Sequence, residues 1–189
     1  HNQDCEDGDR LHYELPYAQD QLISALAAVN DKVIFVSISG NAHGMPWNQE
    51  VEAILQAWYS GSETGHAVAD VLFGDVNPSG KLPYTIQPTL ADYPAHQYGE
   101  EAYPGVDKQV YYKEDIFVGY RYADLYGTRR PIKYVSQGKQ YTINPPKHQA
   151  IFPFGFGLSY TTFEYSKATL NGNQITVSIT NTGNRAGQE

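Results

Sequence analysis

The chain has 189 residues, 41% of them apolar, which is enough for one ordinary domain, or one domain and a piece of another, with a sizeable core. Its 21 acidic and 13 basic residues give a net charge of −8, which argues against nucleic acid as a partner, because phosphate binding needs clustered Lys and Arg. A single cysteine, Cys5, excludes an intrachain disulfide, and no apolar run is long enough to predict a membrane span.

The first predicted elements are a polar loop, a helix and a strand. Residues 1–10 are rich in acids and form the loop, and apolar residues at helical spacing predict a packing helix over residues 18–29. The β-branched run at residues 32–39 predicts a buried, parallel strand. Residues 40–44 then follow the carboxyl end of this strand, which is where ligands bind in open α/β sheets.

The next stretch predicts a strand, a loop, a helix, a turn and a strand, which is the order of an α/β layer. Residues 53–59 are apolar enough for a buried strand. Apolar residues at helical spacing predict a short helix over residues 65–73, which ends at Gly74, a residue free to take a positive φ. Residues 75–80 form a turn cluster, and residues 81–86 are β-prone and predict a strand.

A long irregular stretch comes next. Residues 87–115 contain several prolines and tyrosines and are too many for an idle connector, so we expect a functional or interface loop. Alternation over residues 116–122 predicts another strand. Glu114 and Asp115 precede it, either as its solvated start or as acids that approach a binding pocket.

The last third of the chain contains two predicted hairpins. Residues 125–149 are interpreted as a variable surface loop with a hairpin around residues 136–138. Beyond residue 163, apolar and polar residues alternate on both sides of a turn at residues 171–173, which predicts a second β-hairpin.

The aromatic and histidine residues limit the kinds of ligand. There are 16 tyrosines, and a tyrosine ring can stack on a sugar face while its hydroxyl group hydrogen-bonds; the alternative is that they fill half-buried strand positions. The six histidines show no paired ligand spacing, so we expect no metal and no other cofactor.

Two long motifs resemble the second domain of family 3 glycoside hydrolases, the β-glucosidase and β-xylosidase family. They are W-Y-S-G-S-E-T-G-H-A-V-A-D-V-L-F-G-D-V-N-P-S-G-K-L-P at residues 58–83 and F-P-F-G-F-G-L-S-Y-T at residues 152–161. The resemblance implies a layered α/β sandwich with a largely parallel sheet flanked by helices over residues 1–162, incomplete at its N-terminus and with an insertion at residues 125–149. Residues 163–189 would begin a fibronectin type III-like β-sandwich.

The resemblance also implies the site residues. Family members carry an E-G-x-D-R type motif whose Glu is often the general acid/base, and Glu6 holds that place here, with Asp7 where Gly is usual. Asp9 and Arg10 match the motif and would bind substrate; a solvated acidic loop is the alternative. His43 is a candidate for the sugar pocket, with an ordinary exposed loop histidine as the alternative. Breaking a glycosidic bond takes two carboxylates, one of which must be protonated.

The family further implies a partner domain and a compartment. Its nucleophilic aspartate lies in a preceding barrel domain, so we expect this chain to be an internal piece of a retaining β-glucosidase and to be inactive alone. The absence of an initiator Met and of a signal peptide fits that expectation. The substrate would be an oligosaccharide or an aryl β-glycoside, and the parent protein would be extracellular or periplasmic.

Two other functions are compatible with parts of the sequence. One is a non-catalytic sugar-binding or scaffold module. The other is a flavodoxin-like nucleotide or phosphate binder, which needs a Gly-rich turn that opens a helix directly after the strand at residues 32–39. Met45-Pro46-Trp47 follows that turn instead, which disfavours the second function.

Overall fold

The computed structural model describes residues 12–136 and 138–189, so the acidic loop that contains Glu6, Asp9 and Arg10 lies outside the described residues. The chain divides into two compact units. The first contains the described residues up to Tyr59 together with Leu82–Gly155, and the second contains Ser60–Lys81 together with Phe156–Glu189.

The described residues form short helices and four two-stranded sheets. In chain order, the elements are α1 (Gln19–Ala27), β1 (Ile34–Ser37), β2 (Ala53–Gln56), α2 (Thr64–Phe73), α3 (Tyr120–Ala123), β3 (Ile132–Ser136), β4 (Lys139–Ile143), β5 (Phe163–Tyr165), β6 (Thr169–Asn171), β7 (Gln174–Thr176) and β8 (Ile179–Asn181). Turns of 3-10 helix cover Gly61–Glu63, Leu90–Asp92 and Pro94–Gln97. This is a mixed α/β architecture, as the sequence predicts.

The parallel strand pair of the first unit lies where the sequence predicts it. β1 and β2 pair in parallel, in register from Ile34 with Ala53 to Ser37 with Gln56. The predicted full burial of residues 32–39 is wrong, because Ile34 and Ile38 are 48% and 57% exposed. In the part of the chain that the structure describes, this sheet has two strands, and so each has a neighbour on one edge only.

The core of the first unit is built around Trp47, which is fully buried together with Met45. α1 contributes Ile23, and Phe35 of β1 packs its ring at 4.4 Å from that of Trp47. The indole Nε1 donates a 2.6 Å hydrogen bond to Oδ1 of Asp20, so the polar atom of the buried ring is satisfied. Trp47 is therefore a packing residue.

Two predicted strands are not strands. Residues 81–86 run without regular pairing apart from one antiparallel bridge between Ile86 and Phe152, and Pro83 has no N–H to give to a ladder. Residues 116–122 turn into α3 instead of extending. Gly119 precedes α3 with φ 59° and ψ −126°, a conformation that glycine adopts without strain.

The hairpin predicted around residues 136–138 is confirmed. β3 and β4 pair antiparallel, with Ser136 opposite Lys139 at the turn end. Tyr134 and Tyr141 face each other across the strands and stack at 5.8 Å between ring centroids. Phe117 and Tyr98, from the preceding irregular stretch, contact these two rings edge-on. Aromatic packing therefore holds the hairpin on residues 98–117.

The second unit contains α2 and the four terminal strands. α2 ends at Gly74, whose φ of 86° confirms the predicted left-handed cap. β6 and β7 form the predicted hairpin, with Leu170 opposite Ile175. β5 and β8 pair outside it, with Tyr165 opposite Ile179, so the two antiparallel pairs are nested in sequence.

Side-chain hydrogen bonds join the two family-like motifs within the second unit. Oδ1 of Asn77 accepts hydrogen bonds from the Tyr160 amide at 2.7 Å and from the Ser159 hydroxyl group at 3.0 Å. Nζ of Lys81 donates to the Gly157 carbonyl at 3.0 Å. Asn77 and Lys81 of the first motif thus hold residues 157–160 of the second.

We expect Gly157→Ala to destabilise this unit by about 3 kcal/mol, because a Cβ at residue 157 would lie 2.1 Å from the Gly80 carbonyl oxygen. Gly65→Ala is the matched control, since a Cβ there meets nothing within 4 Å and lies inside α2. It should stabilise by up to about 1 kcal/mol. Urea unfolding followed by circular dichroism measures both, and equal effects would contradict the assigned contact.

Candidate functional site

The candidate site is the loop that follows β1 at the carboxyl end of the parallel pair. His43 is 1% exposed there, and its Nε2 lies 2.9 Å from the Ser37 hydroxyl group. Its Nδ1 lies 2.9 Å from the Gly44 carbonyl oxygen, which can only accept, so Nδ1 carries the proton and Nε2 accepts from Ser37 in the neutral ring. The alternative of an ordinary exposed histidine is wrong, and a role in sugar binding stays a prediction.

The end of β2 contributes polar and aromatic groups to the same edge of the sheet. Nε2 of Gln56 donates a 2.9 Å hydrogen bond to the Ser39 carbonyl, while its Oε1 is buried without a hydrogen-bond partner among the described residues. The Tyr59 ring lies so close to Gly40 that a Cβ there would be 2.9 Å from the ring. The exposed Tyr59 ring therefore packs directly against the backbone of the site loop at Gly40.

Tyr13 connects the start of the described chain to this loop. Its carbonyl accepts a 2.8 Å hydrogen bond from the Gly44 amide. Its hydroxyl group donates to the Gln87 carbonyl at 2.7 Å and lies 3.0 Å from the hydroxyl group of Tyr93. The residue is 8% exposed, so it anchors the chain on both the site loop and the irregular segment after residue 86.

We predict that Tyr13→Phe lowers the free energy of unfolding by about 1 kcal/mol, because the buried Gln87 carbonyl loses its hydroxyl donor. Tyr17→Phe is the control, since Tyr17 is 79% exposed, and it should change stability by less than about 0.5 kcal/mol. Chemical denaturation of the two variants provides the comparison, and a Tyr13→Phe protein as stable as the parent would show that the hydroxyl group is not an anchor.

Glu114, for which the sequence left a solvated and a pocket-facing position open, is a buried acid. Glu114 is 4% exposed, and its Oε2 has no hydrogen-bond partner in the part of the chain that the structure describes, so the solvated interpretation is wrong for this residue. Burial raises the pKa of Tyr98, and the Glu114 carboxylate adds to that rise. The only sequence signal was an acid inside the aromatic-rich segment at residues 111–117.

The polar groups of Glu63 and Tyr122 have local partners. Glu63 is exposed, and its Oε2 lies 2.6 Å from Nδ1 of His66. Burial and the Asp92 charge raise the pKa of Tyr122 to about 12.

Within residues 12–136 and 138–189, no group of three or more His, Cys, Asp or Glu side chains is placed to hold a metal ion. No helix in the same ranges is long and apolar enough to cross a membrane.

An α/β unit with a hydrogen-bonded loop at the carboxyl ends of parallel strands defines a class of ligand-binding and catalytic α/β domains. The comparison with family models gives the particular family. The model of the glycosyl hydrolase family 3 C-terminal domain matches residues 1–120. The chain therefore belongs to glycosyl hydrolase family 3, which confirms the resemblance carried by the two motifs.

Relatives and solved structures agree with this assignment. The chain is 48% identical over 197 residues to the beta-glucosidase BoGH3A of Bacteroides ovatus, which covers 100% of this chain and 24% of that protein. It is 40% identical over 194 residues to the thermostable beta-glucosidase B of Acetivibrio thermocellus, covering 98% of this chain and 22% of that protein. It spans about a quarter of these relatives.

Two solved structures are similar in fold as well as in sequence. DesR, a beta-glucosidase from Streptomyces venezuelae in complex with D-glucose, superposes with a TM-score of 0.77 at 36% identity, over 96% of this chain and 21% of that one. Beta-glucosidase 3B from Thermotoga neapolitana in complex with glucose gives 0.72 at 35% identity, over 93% and 23%.

Proposed function

We propose that this chain supplies the acid/base half of the active site of a retaining β-glucosidase, with Glu6 as the general acid/base. The observation that carries this proposal is the attachment of Tyr13 to Gly44 in the loop after β1. Tyr13 follows Glu6 by seven residues, a chain length that spans at most about 25 Å. The family match from residue 1 and the beta-glucosidase names of the relatives supply the chemistry.

The proposed reaction uses two carboxylates on opposite sides of the anomeric carbon. An aspartate from a preceding barrel domain attacks that carbon, and Glu6 protonates the departing oxygen. Glu6 then takes a proton from the water that releases the sugar, and the configuration is retained. Asp9, Arg10 and His43 bind the substrate, which is an oligosaccharide or an aryl β-glycoside, and no cofactor takes part.

The proposal includes a domain division and a location. Residues 1–162 belong to the C-terminal α/β sandwich domain, with an insertion at residues 125–149, and residues 163–189 belong to a fibronectin type III-like sandwich. The antiparallel pairs β5–β8 and β6–β7 are nested in sequence, and Leu170 and Ile175 are exposed. Because the two sheets of a β-sandwich pack their apolar faces together, these exposed residues support the assignment of a sandwich. An extracellular or periplasmic location rests on the family resemblance alone.

Assaying the isolated chain beside the longer protein tests the division of the site. The longer protein should hydrolyse a nitrophenyl β-glucoside, and the isolated chain should not, because one carboxylate cannot run a double displacement. Turnover by the isolated chain would overturn the proposal. A non-catalytic sugar-binding module is the alternative, and it would be favoured if changing Glu6 left the longer protein fully active.

A further inference from the structure

A cavity in the first unit lies between the irregular segment at residues 109–113 and the β3–β4 hairpin. Its volume is about 350 Å³, within the range of small-molecule sites. The residues that line it are Gln109, Val110, Tyr111, Tyr112, Lys113, Ser136 and Tyr141. We call it the hairpin cavity. His43, the proposed site residue that the described ranges contain, does not line it.

Both walls of the hairpin cavity are held by hydrogen bonds or packing. Val106 and Gln109 exchange two 2.9 Å backbone hydrogen bonds, and the Tyr111 amide donates to the Glu101 carbonyl at 2.9 Å. On the other wall, Tyr141 stacks on Tyr134, whose hydroxyl group donates to the Lys113 carbonyl and so ties the hairpin to the irregular segment. The cavity is therefore preformed, which reduces the entropy lost when a ligand binds.

The chemistry of the lining favours a neutral ligand with many hydroxyl groups. Tyr111 and Tyr112 are 45% and 71% exposed, so their rings are available as stacking surfaces. Gln109 and Ser136 add amide and hydroxyl groups that both donate and accept. Lys113 is the one cation among the residues that line the cavity, and its ion pair with Glu101 neutralises it. An anionic ligand would have to compete with that carboxylate.

We propose that the hairpin cavity binds a neutral pyranose residue and is a sugar-binding subsite additional to the catalytic site. The choice of a sugar as the ligand rests on the proposed β-glucosidase function, whereas the cavity and its charge balance do not. The subsite gives a binding role to the hairpin at residues 132–143 and to part of the tyrosine-rich segment before it.

Titrating the isotope-labelled chain with cellobiose, followed by amide chemical shifts, tests the subsite. Amides of residues 109–113 and 141 should shift saturably. Tyr112→Ala should weaken binding about tenfold through loss of a stacking ring. Tyr126→Ala should bind as the parent does, because Tyr126 is 48% exposed and does not line the cavity. Circular dichroism of each protein verifies that it is folded.

Shifts confined to the loop after β1, equal affinity of Tyr112→Ala and its control, or displacement of the sugar by inorganic phosphate would each overturn the subsite. Crystals of the longer protein soaked with thiocellobiose, which is not hydrolysed, give a second measurement that does not depend on the isolated chain. Sugar density against Tyr112 supports the subsite, and an empty cavity beside an occupied catalytic site overturns it. Neither measurement depends on the Glu6 assignment, so the two proposals can fail separately.

Discussion

Replacing Glu6 with glutamine in the longer protein is expected to reduce turnover of an alkyl β-glucoside by about 10²–10⁴-fold. The amide has the size of the carboxyl group but cannot protonate the departing oxygen. A nitrophenyl β-glucoside, whose leaving group needs little protonation, should lose much less in the step that forms the glycosyl-enzyme. Steady-state kinetics over a series of leaving groups measures the difference.

Asp4→Asn is the matched control for Glu6→Gln, because it removes a neighbouring carboxylate of the same acidic segment. It should leave the dependence on leaving group as in the parent. A Glu6→Gln enzyme with unchanged kinetics, or an Asp4→Asn enzyme with the predicted defect, would show that Glu6 is not the acid.

Trp47→Ala is expected to lower the free energy of unfolding by about 3–5 kcal/mol, enough to unfold a marginally stable chain. The indole is fully buried, contacts the ring of Phe35, and donates its hydrogen bond to Asp20. Its removal leaves a cavity at the base of the loop that holds His43. Thermal and urea unfolding measure the loss.

Two further substitutions separate the loss of stability caused by a smaller buried ring from that caused by removing any aromatic ring. Trp47→Phe keeps an aromatic ring and should cost less than Trp47→Ala. Tyr126→Ala removes an aromatic ring that is 48% exposed and should change stability by less than about 0.5 kcal/mol. Equal losses for Trp47→Ala and Tyr126→Ala would contradict the placement of Trp47 at the centre of the core.

The spacing of apolar residues and the position of Gly74 predicted the first two helices and the first two strands. α1, β1, β2 and α2 lie within a few residues of their predicted bounds. The patterns failed at residues 81–86, which are β-prone, and at residues 116–122, where apolar and polar residues alternate. Pro83 and the positive φ of Gly119 decided those segments, together with contacts to residues distant in sequence, such as Phe152.

The position of the candidate site followed from the sequence, but its contacts did not. Residues 40–44 lie at the carboxyl end of β1, as the α/β order predicts. The bond between His43 and Ser37 and the anchor from Tyr13 to Gly44 depend on how distant parts of the chain meet. The burial of Glu114 likewise depends on the aromatic groups around it, because the residue type alone predicts exposure.

The most direct test of Glu6 is the reaction of the longer protein, carrying Glu6→Ala, with a nitrophenyl β-glucoside in the presence of azide. Azide fits the space left by the side chain and needs no general base, so we predict that it restores turnover and that nuclear magnetic resonance identifies the product as the β-glucosyl azide. A rate that azide leaves unchanged, or an α-configured product, would contradict the assignment of this chain as the acid/base half of a retaining site.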